Sequence, residues 1–166
     1  MLSHAEIESY LEDWAKEIAR AAEIAWSKSS KVTTALAFLL AANSERILVP
    51  DTYSGPKAKD SPQRFKDTLV KVFREYYEQI KDNHGIKEKN VLKLFVPLGI
   101  PGAALGSTLL PNLDNLGERR GVHAHHSAKA VASVLDPETE HKNVTTVVNE
   151  LLVLDGWLAT HKRSTR

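Results

Sequence analysis

LSHAEIESYLEDWAKEIARAAEIA, residues 2–25, is the stretch whose reading decides the fold class. Ile7, Leu11, Trp14, Ile18, Ala21 and Ala25 recur at spacings of four and three, the stripe of a helix that buries one face. Glu8, Ser9, Glu12, Asp13, Lys16 and Glu17 fall largely on the other side. Ser3 followed by Glu6 has capping-box spacing, in which each side chain satisfies a free backbone N–H of the first turn. The stripe ends at a polar break, SKSSK, residues 27–31.

The rest of the chain continues in the same manner. Val32 to Asn43 is apolar nearly all round, which predicts a central buried helix. Residues 45–61, ERILVPDTYSGPKAKDS, hold two prolines, a glycine and mixed charge, and read as a long irregular loop. Ser61-Pro62 then supplies an N-cap and a first-turn proline. Phe65, Leu69, Val72, Phe73, Tyr76 and Ile80 carry a third helix to about Asn83, and a shorter one spans about Glu88 to Phe95. Pro97 and Pro101 stop it, because a ring at that position removes a donor and clashes with the preceding turn. Residues 98–111 read as an irregular lead-in to a helix that Leu113 and Leu116 start. Asp136-Pro137 is a second N-cap and first-turn pair, and Val144, Val147, Val148, Leu151, Leu154 and Leu158 build the last amphipathic helix. No segment alternates as a strand does. The expectation is an all-α helical bundle in one domain, residues 2–160, with a basic tail over residues 161–166.

Composition narrows the function. Hydrophobic residues at 42% and charged residues at 26% suit a packed globular chain. A net charge of +1 gives no blanket attraction to nucleic acid, so any polyanion site must be local. The chain has no cysteine, which excludes disulfides, thiolate catalysis and Cys-type zinc sites. The N-terminus is acidic and amphipathic, unlike a secretory signal. The longest apolar run, TALAFLLAA, is about half of what a membrane span needs. A cytoplasmic protein without membrane partners is expected.

One window departs from this ordinary mixture. GERRGVHAHHS, residues 117–127, concentrates two arginines and three histidines. It can be a solvated helix end, where cations meet the negative end of the helix dipole. It can be a metal site, but His125 lies two positions from His123 and one from His126, and side chains that converge on a helix are three or four apart, so HxHH is a poor helical chelate; no metal and no cofactor is expected. It can also do chemistry on a phosphate. Arginine is a permanent, forked donor to phosphate oxygens, and histidine exchanges a proton near neutral pH. Together they suffice to cleave RNA, where the substrate's own 2′-hydroxyl is the nucleophile.

LGERRGVHAHHS resembles the Arg-(four to six residues)-His motif of the HEPN superfamily, and in particular the group called RiboL-PSP-HEPN. The acidic first helix, LSHAEIESYLEDWAKEI, is similar to that group's, as is an RG-x-x-AH segment late in the chain followed by a proline and a closing amphipathic helix. The resemblance covers roughly residues 2–158. It implies an HEPN-like bundle and a metal-independent endoribonuclease of toxin–antitoxin, antiviral or RNA-processing settings, with RNA as substrate. It also implies a homodimer whose two motifs face one another across a cleft, and an antitoxin or operon partner protein. Carried over by position, Arg120 matches the motif arginine and His125 the motif histidine, with Gly121 and Ala124 falling where the pattern has them. Arg119 with His125, and Arg120 with His126, also satisfy the spacing. Arg119, His123, His126 and Lys129 are the supporting or RNA-contacting candidates. Many active members carry a polar residue directly after the arginine, and here that residue is Gly121. The alternative reading is a noncatalytic helical module that binds nucleotide, RNA or a partner protein through the same cleft.

Other signatures are absent or weak. There is no GxSxG elbow beside Ser127, and GAALG, residues 102–106, lacks the GK[ST] ending of a P-loop. Trp14, Trp26, Tyr76, Tyr77 and Trp157 lie on helical stripes and are expected in the core or an interface. His4, His84, His141 and His161 stand alone in the sequence.

Overall fold

The computed structural model describes residues 2–43, 61–125 and 136–164, with side chains for residues 4–43, 63–118 and 136–163. The described residues form α-helices and short 3-10 turns, with no strand among them. The loop expected at residues 45–61 lies, up to residue 60, outside the described residues.

Helix α1 (Leu2–Ser29) is the axis of the bundle. Its buried face is wider than the stripe of six. Ala15, Ala19 and Ala22 are buried beside Ile7, Leu11 and Ile18, so small side chains let neighbouring helices approach closely. The helix starts at Leu2, so Ser3 lies within its first turn rather than capping it. It ends where expected, with Ser30 in the left-handed region (φ 54°) and its N–H on the Trp26 carbonyl at 2.7 Å.

Helix α2 (Thr34–Ala42) corrects one expectation. Ala35, Leu36 and Leu39 are buried, but Phe38 is 49% exposed and Val32 57%, so it is a one-faced helix and not a central one. Its N-cap is Thr33, whose hydroxyl accepts from the Leu36 N–H at 3.1 Å. Phe38 lies across the turn at Gly99. A Cβ there would come within 2.7 Å of the ring, and its φ of 80° is itself a glycine conformation.

Helix α3 (Ser61–Lys81) runs antiparallel to α1. Tyr77 on α3 donates to Glu23 at 2.9 Å, and further on Asn83 donates to Glu12 at 3.3 Å. Burial is the main cause that pushes the Tyr77 hydroxyl above its usual pKa. Helix α4 (Glu88–Phe95) matches its expected span. It is tied back by the buried Tyr76 hydroxyl, which donates to the Leu94 carbonyl. His4 does not stand alone. It is buried near the start of α1, with Nδ1 3.7 Å from the Glu8 carboxylate, and Glu8 also accepts the Gly85 N–H.

The segment expected as an irregular lead-in belongs to the core. Two 3-10 turns, Val96–Leu98 and Gly102–Leu105, bury Leu98, Ile100 and Leu105, and helix α5 (Leu109–His125) begins four residues before Leu113. Helix α6 (Pro137–Ser164) is as long as α1 and carries most of the supposed tail as helix. Asp136 caps it as expected: its carboxylate accepts from the Thr139 N–H at 3.0 Å and hydroxyl at 2.8 Å. Those bonds hold the Asp136 pKa below its ordinary value. Along α1, α6 runs parallel, with Tyr10 and Trp14 donating to Asp155 at 2.9 and 3.0 Å and Lys162 paired with Glu17. One contiguous core joins these helices and turns. Among the described residues, no helix is long and apolar enough to cross a membrane.

Candidate functional site

The arginine–histidine window sits on the C-terminal end of α5, and the residues just before it hold that end in place. Asp114 accepts the Glu88 N–H at 2.7 Å, which caps α4 from a different helix because Lys87, at the N-cap position, makes no side-chain cap bond. Gly117 lets α5 pass close to Lys87, since a Cβ there would lie 3.1 Å from that side chain's Cγ. Lys87 Nζ then pairs with Glu118 at 3.7 Å. Leu113 is fully buried and Leu116 packs against the core, as their spacing predicts. The motif follows directly on these anchored residues of α5.

Helix α5 stays helical through the motif: Arg119, Arg120 and His123 lie within it and His125 is its last residue. Their side chains lie outside the described residues, as do His126 and Lys129 altogether. On the backbone, Arg120 and His125 are five positions apart, so about 140° of azimuth and 7.5 Å of rise separate them on one helix. Arg119 and His123 are four apart and share a face.

Helix α6 lies antiparallel beside this end. Asn112 donates to both oxygens of Glu150 at 3.1 and 3.0 Å, across the seam between the two helices. A notch of about 80 Å³ opens between the two helices, lined by Asn112, Asn115, Leu116, Asn143, Thr146 and Val147. The Asn143 Nδ2 atom is buried there without a hydrogen-bond partner. The sequence reading missed these amides, although Asn112, Asn115 and Arg119 share the three-and-four spacing of one α5 face.

No protein-family model, curated protein or solved structure matches the chain.

Trp14, Trp26, Trp157 and His161 have structural partners. Trp14 gives its N–H to Asp155, and Trp26 meets Phe65 edge-on at 5.5 Å. Trp157, 38% exposed, stacks on His161 at 5.2 Å. A larger open groove of about 310 Å³ runs between α1 and α6, lined by Ile7, Tyr10, Val144, Val148, Leu151 and Leu152 with Glu6 and Asp155 at its rim. Val148 is 43% and Leu152 67% exposed along it.

Proposed function

We propose that this chain is a metal-independent endoribonuclease of HEPN type that works as a homodimer, with Arg120 and His125 at its centre. The observation that carries the reading is the placement of both residues on the final turns of α5, just past the point where Asp114 and Gly117 anchor that helix.

The chemistry needs little else. His125 takes the proton of the ribose 2′-hydroxyl as that oxygen bonds to phosphorus, the bond to the 5′-oxygen breaks, the leaving oxygen takes a proton from water, and His125 returns its own proton to solvent. Arg120 supplies two parallel donors to the oxygens on which negative charge grows. The products are a 2′,3′-cyclic phosphate and a 5′-hydroxyl.

The azimuth between the two positions bears on the assembly. One continuous α5 turns Arg120 and His125 toward different sides, and a second copy can set the arginine of one chain opposite the histidine of the other. The apolar strip of half-buried Val144 and exposed Val148 and Leu152, along the groove between α1 and α6, is the surface on which two copies can pair. The same azimuth, with Gly121 after Arg120, favours a second reading: a noncatalytic module that binds RNA or a partner protein through this end.

Two results test the proposal. Cleavage of single-stranded RNA should persist in excess EDTA and fail when the nucleotide at the cut carries 2′-deoxyribose; cutting of the deoxy substrate would remove the mechanism. In sedimentation at micromolar concentration the parent should be a dimer and Leu152→Glu a folded monomer with little activity. A monomeric, active parent would remove the composite site.

A further inference from the structure

Helix α6 keeps charge off its exposed face. Between Lys142 and Arg163 its acidic and basic residues are Glu150, Asp155 and Lys162, and each is bonded to α5 or α1. The exposed residues of that span are all uncharged. Leu152 is 67% and Val153 78% exposed, with Val148 and Trp157 close by on the helix. Neighbouring apolar side chains this open, on a helix face without charge, mark a contact surface rather than a solvated one. Gly156 lies within the same face. Glycine at an exposed position inside a helix is less stable than alanine, and a Cβ there would meet nothing within 4 Å. Packing within the chain gives no reason for this glycine, whereas the close approach of a second backbone does.

We propose that this face receives a second copy of the chain, with the two α6 helices antiparallel about a two-fold axis between residues 150 and 151. The inference rests on the homodimer of the reading above and names how its copies meet. Glu138, Thr145, Asn149, Leu152, Gly156 and Arg163 are all exposed and recur at three, four or seven residues, the spacing of a helix-pairing seam. Reversed, the seam matches itself. Glu138 comes level with Arg163 of the second copy, Thr145 with Gly156, and Asn149 with Leu152, and each match recurs across the axis. The acidic first turn of α6 thereby meets a basic last turn at both ends, a complementarity that a second copy supplies by symmetry. A parallel pair would set Glu138 on Glu138 and Arg163 on Arg163. The bond between Glu138 and Lys142 is no obstacle, because both side chains are largely exposed and such pairs hold weakly. Helices α5 and α1 pack on different flanks of α6, so the axis leaves α5 of both copies on one side of the pair.

The chain has no cysteine, so introduced thiols report the register cleanly. Thr145→Cys and Gly156→Cys proteins, mixed, left to exchange and treated with diamide, should form a disulfide-linked dimer. Thr145→Cys alone should not, since its two copies lie about 16 Å apart along the seam. In sedimentation at micromolar concentration the parent should be a dimer. Gly156→Leu should melt as the parent does yet dissociate, because within one chain its side chain meets only solvent. Glu138→Arg should weaken the dimer about tenfold, as two ion pairs are lost, and Arg163→Glu added to it should restore most of the affinity. If Gly156→Leu does not fold, the crosslinks decide. A dimer that Gly156→Leu leaves intact, or that links Thr145→Cys to itself, overturns the inference and leaves a homodimer formed through another surface. A monomeric parent removes this inference and the homodimer together, and RNA cleavage in EDTA by the same sample then reports on the nuclease reading separately.

Discussion

Helix α6 meets two neighbours along its length and treats its polar residues differently at each. Toward its C-terminal end, against α1, they are consumed by the fold. Asp155 accepts from both Tyr10 and Trp14, and Lys162 pairs with Glu17 and lies 5.7 Å from the Trp14 ring centroid. Burial first, then the bond to Asp155, pushes the Tyr10 hydroxyl above its ordinary pKa, a mark of a proton held in place. Toward its N-terminal end, against α5, Asn112 and Glu150 close the seam, Asn143 keeps a buried donor without a partner, and Asn115 faces outward. Polar groups left over after packing mark where a chain can serve something other than its own fold, and here they adjoin the arginine–histidine window.

Substitutions can break or sharpen this contrast. The largest effect on stability belongs to the packed half. Leu158 is fully buried, and Leu158→Ala should cost about 2–5 kcal/mol in denaturant unfolding, the range for emptying a core leucine. A cost below 1 kcal/mol would mean that α6 is not docked as described. Next comes Asp155→Ala, which strands the Tyr10 hydroxyl and the Trp14 indole N–H together and should cost about 1–3 kcal/mol. Tyr10→Phe on top of it should restore part of that loss. If it does not, the network contributes less than its geometry implies. In the other half, Arg120→Ala should leave the melting temperature near the parent's, because Arg120 belongs to no apolar stripe.

Much of this was legible in the residues. The two-sided stripe of α1, the span of α4 and the Asp136-Pro137 start of α6 each rest on local chemistry that a sequence displays: periodicity, proline and a capping carboxylate. Helix α2 was misread because an apolar run carries no information about which face is covered, and Phe38 stays half outside across Gly99. Residues 98–105 are irregular as expected, but their burial was hidden for the opposite reason. Glycine and proline conceal a core segment whose burial depends on neighbours distant in sequence. The motif positions were legible as residue types and as a candidate helix end, and the continuation of α5 through them to His125 was not. The Asp114 cap on α4 and the amide notch arise only when α4, α5 and α6 come together.

The most direct measurement of the central claim is the rate of single-stranded RNA cleavage in excess EDTA by the parent, Arg120→Ala and His125→Ala, with melting temperatures recorded alongside. Each substitution should cost about two to four orders of magnitude, the range for losing one proton carrier or one charge-stabilising donor. The double variant should be little worse than the weaker single one, because both groups serve one transition state. Melting should be unchanged throughout. His125→Ala cleaving RNA as fast as the parent would contradict the account and assign this end of α5 to binding alone.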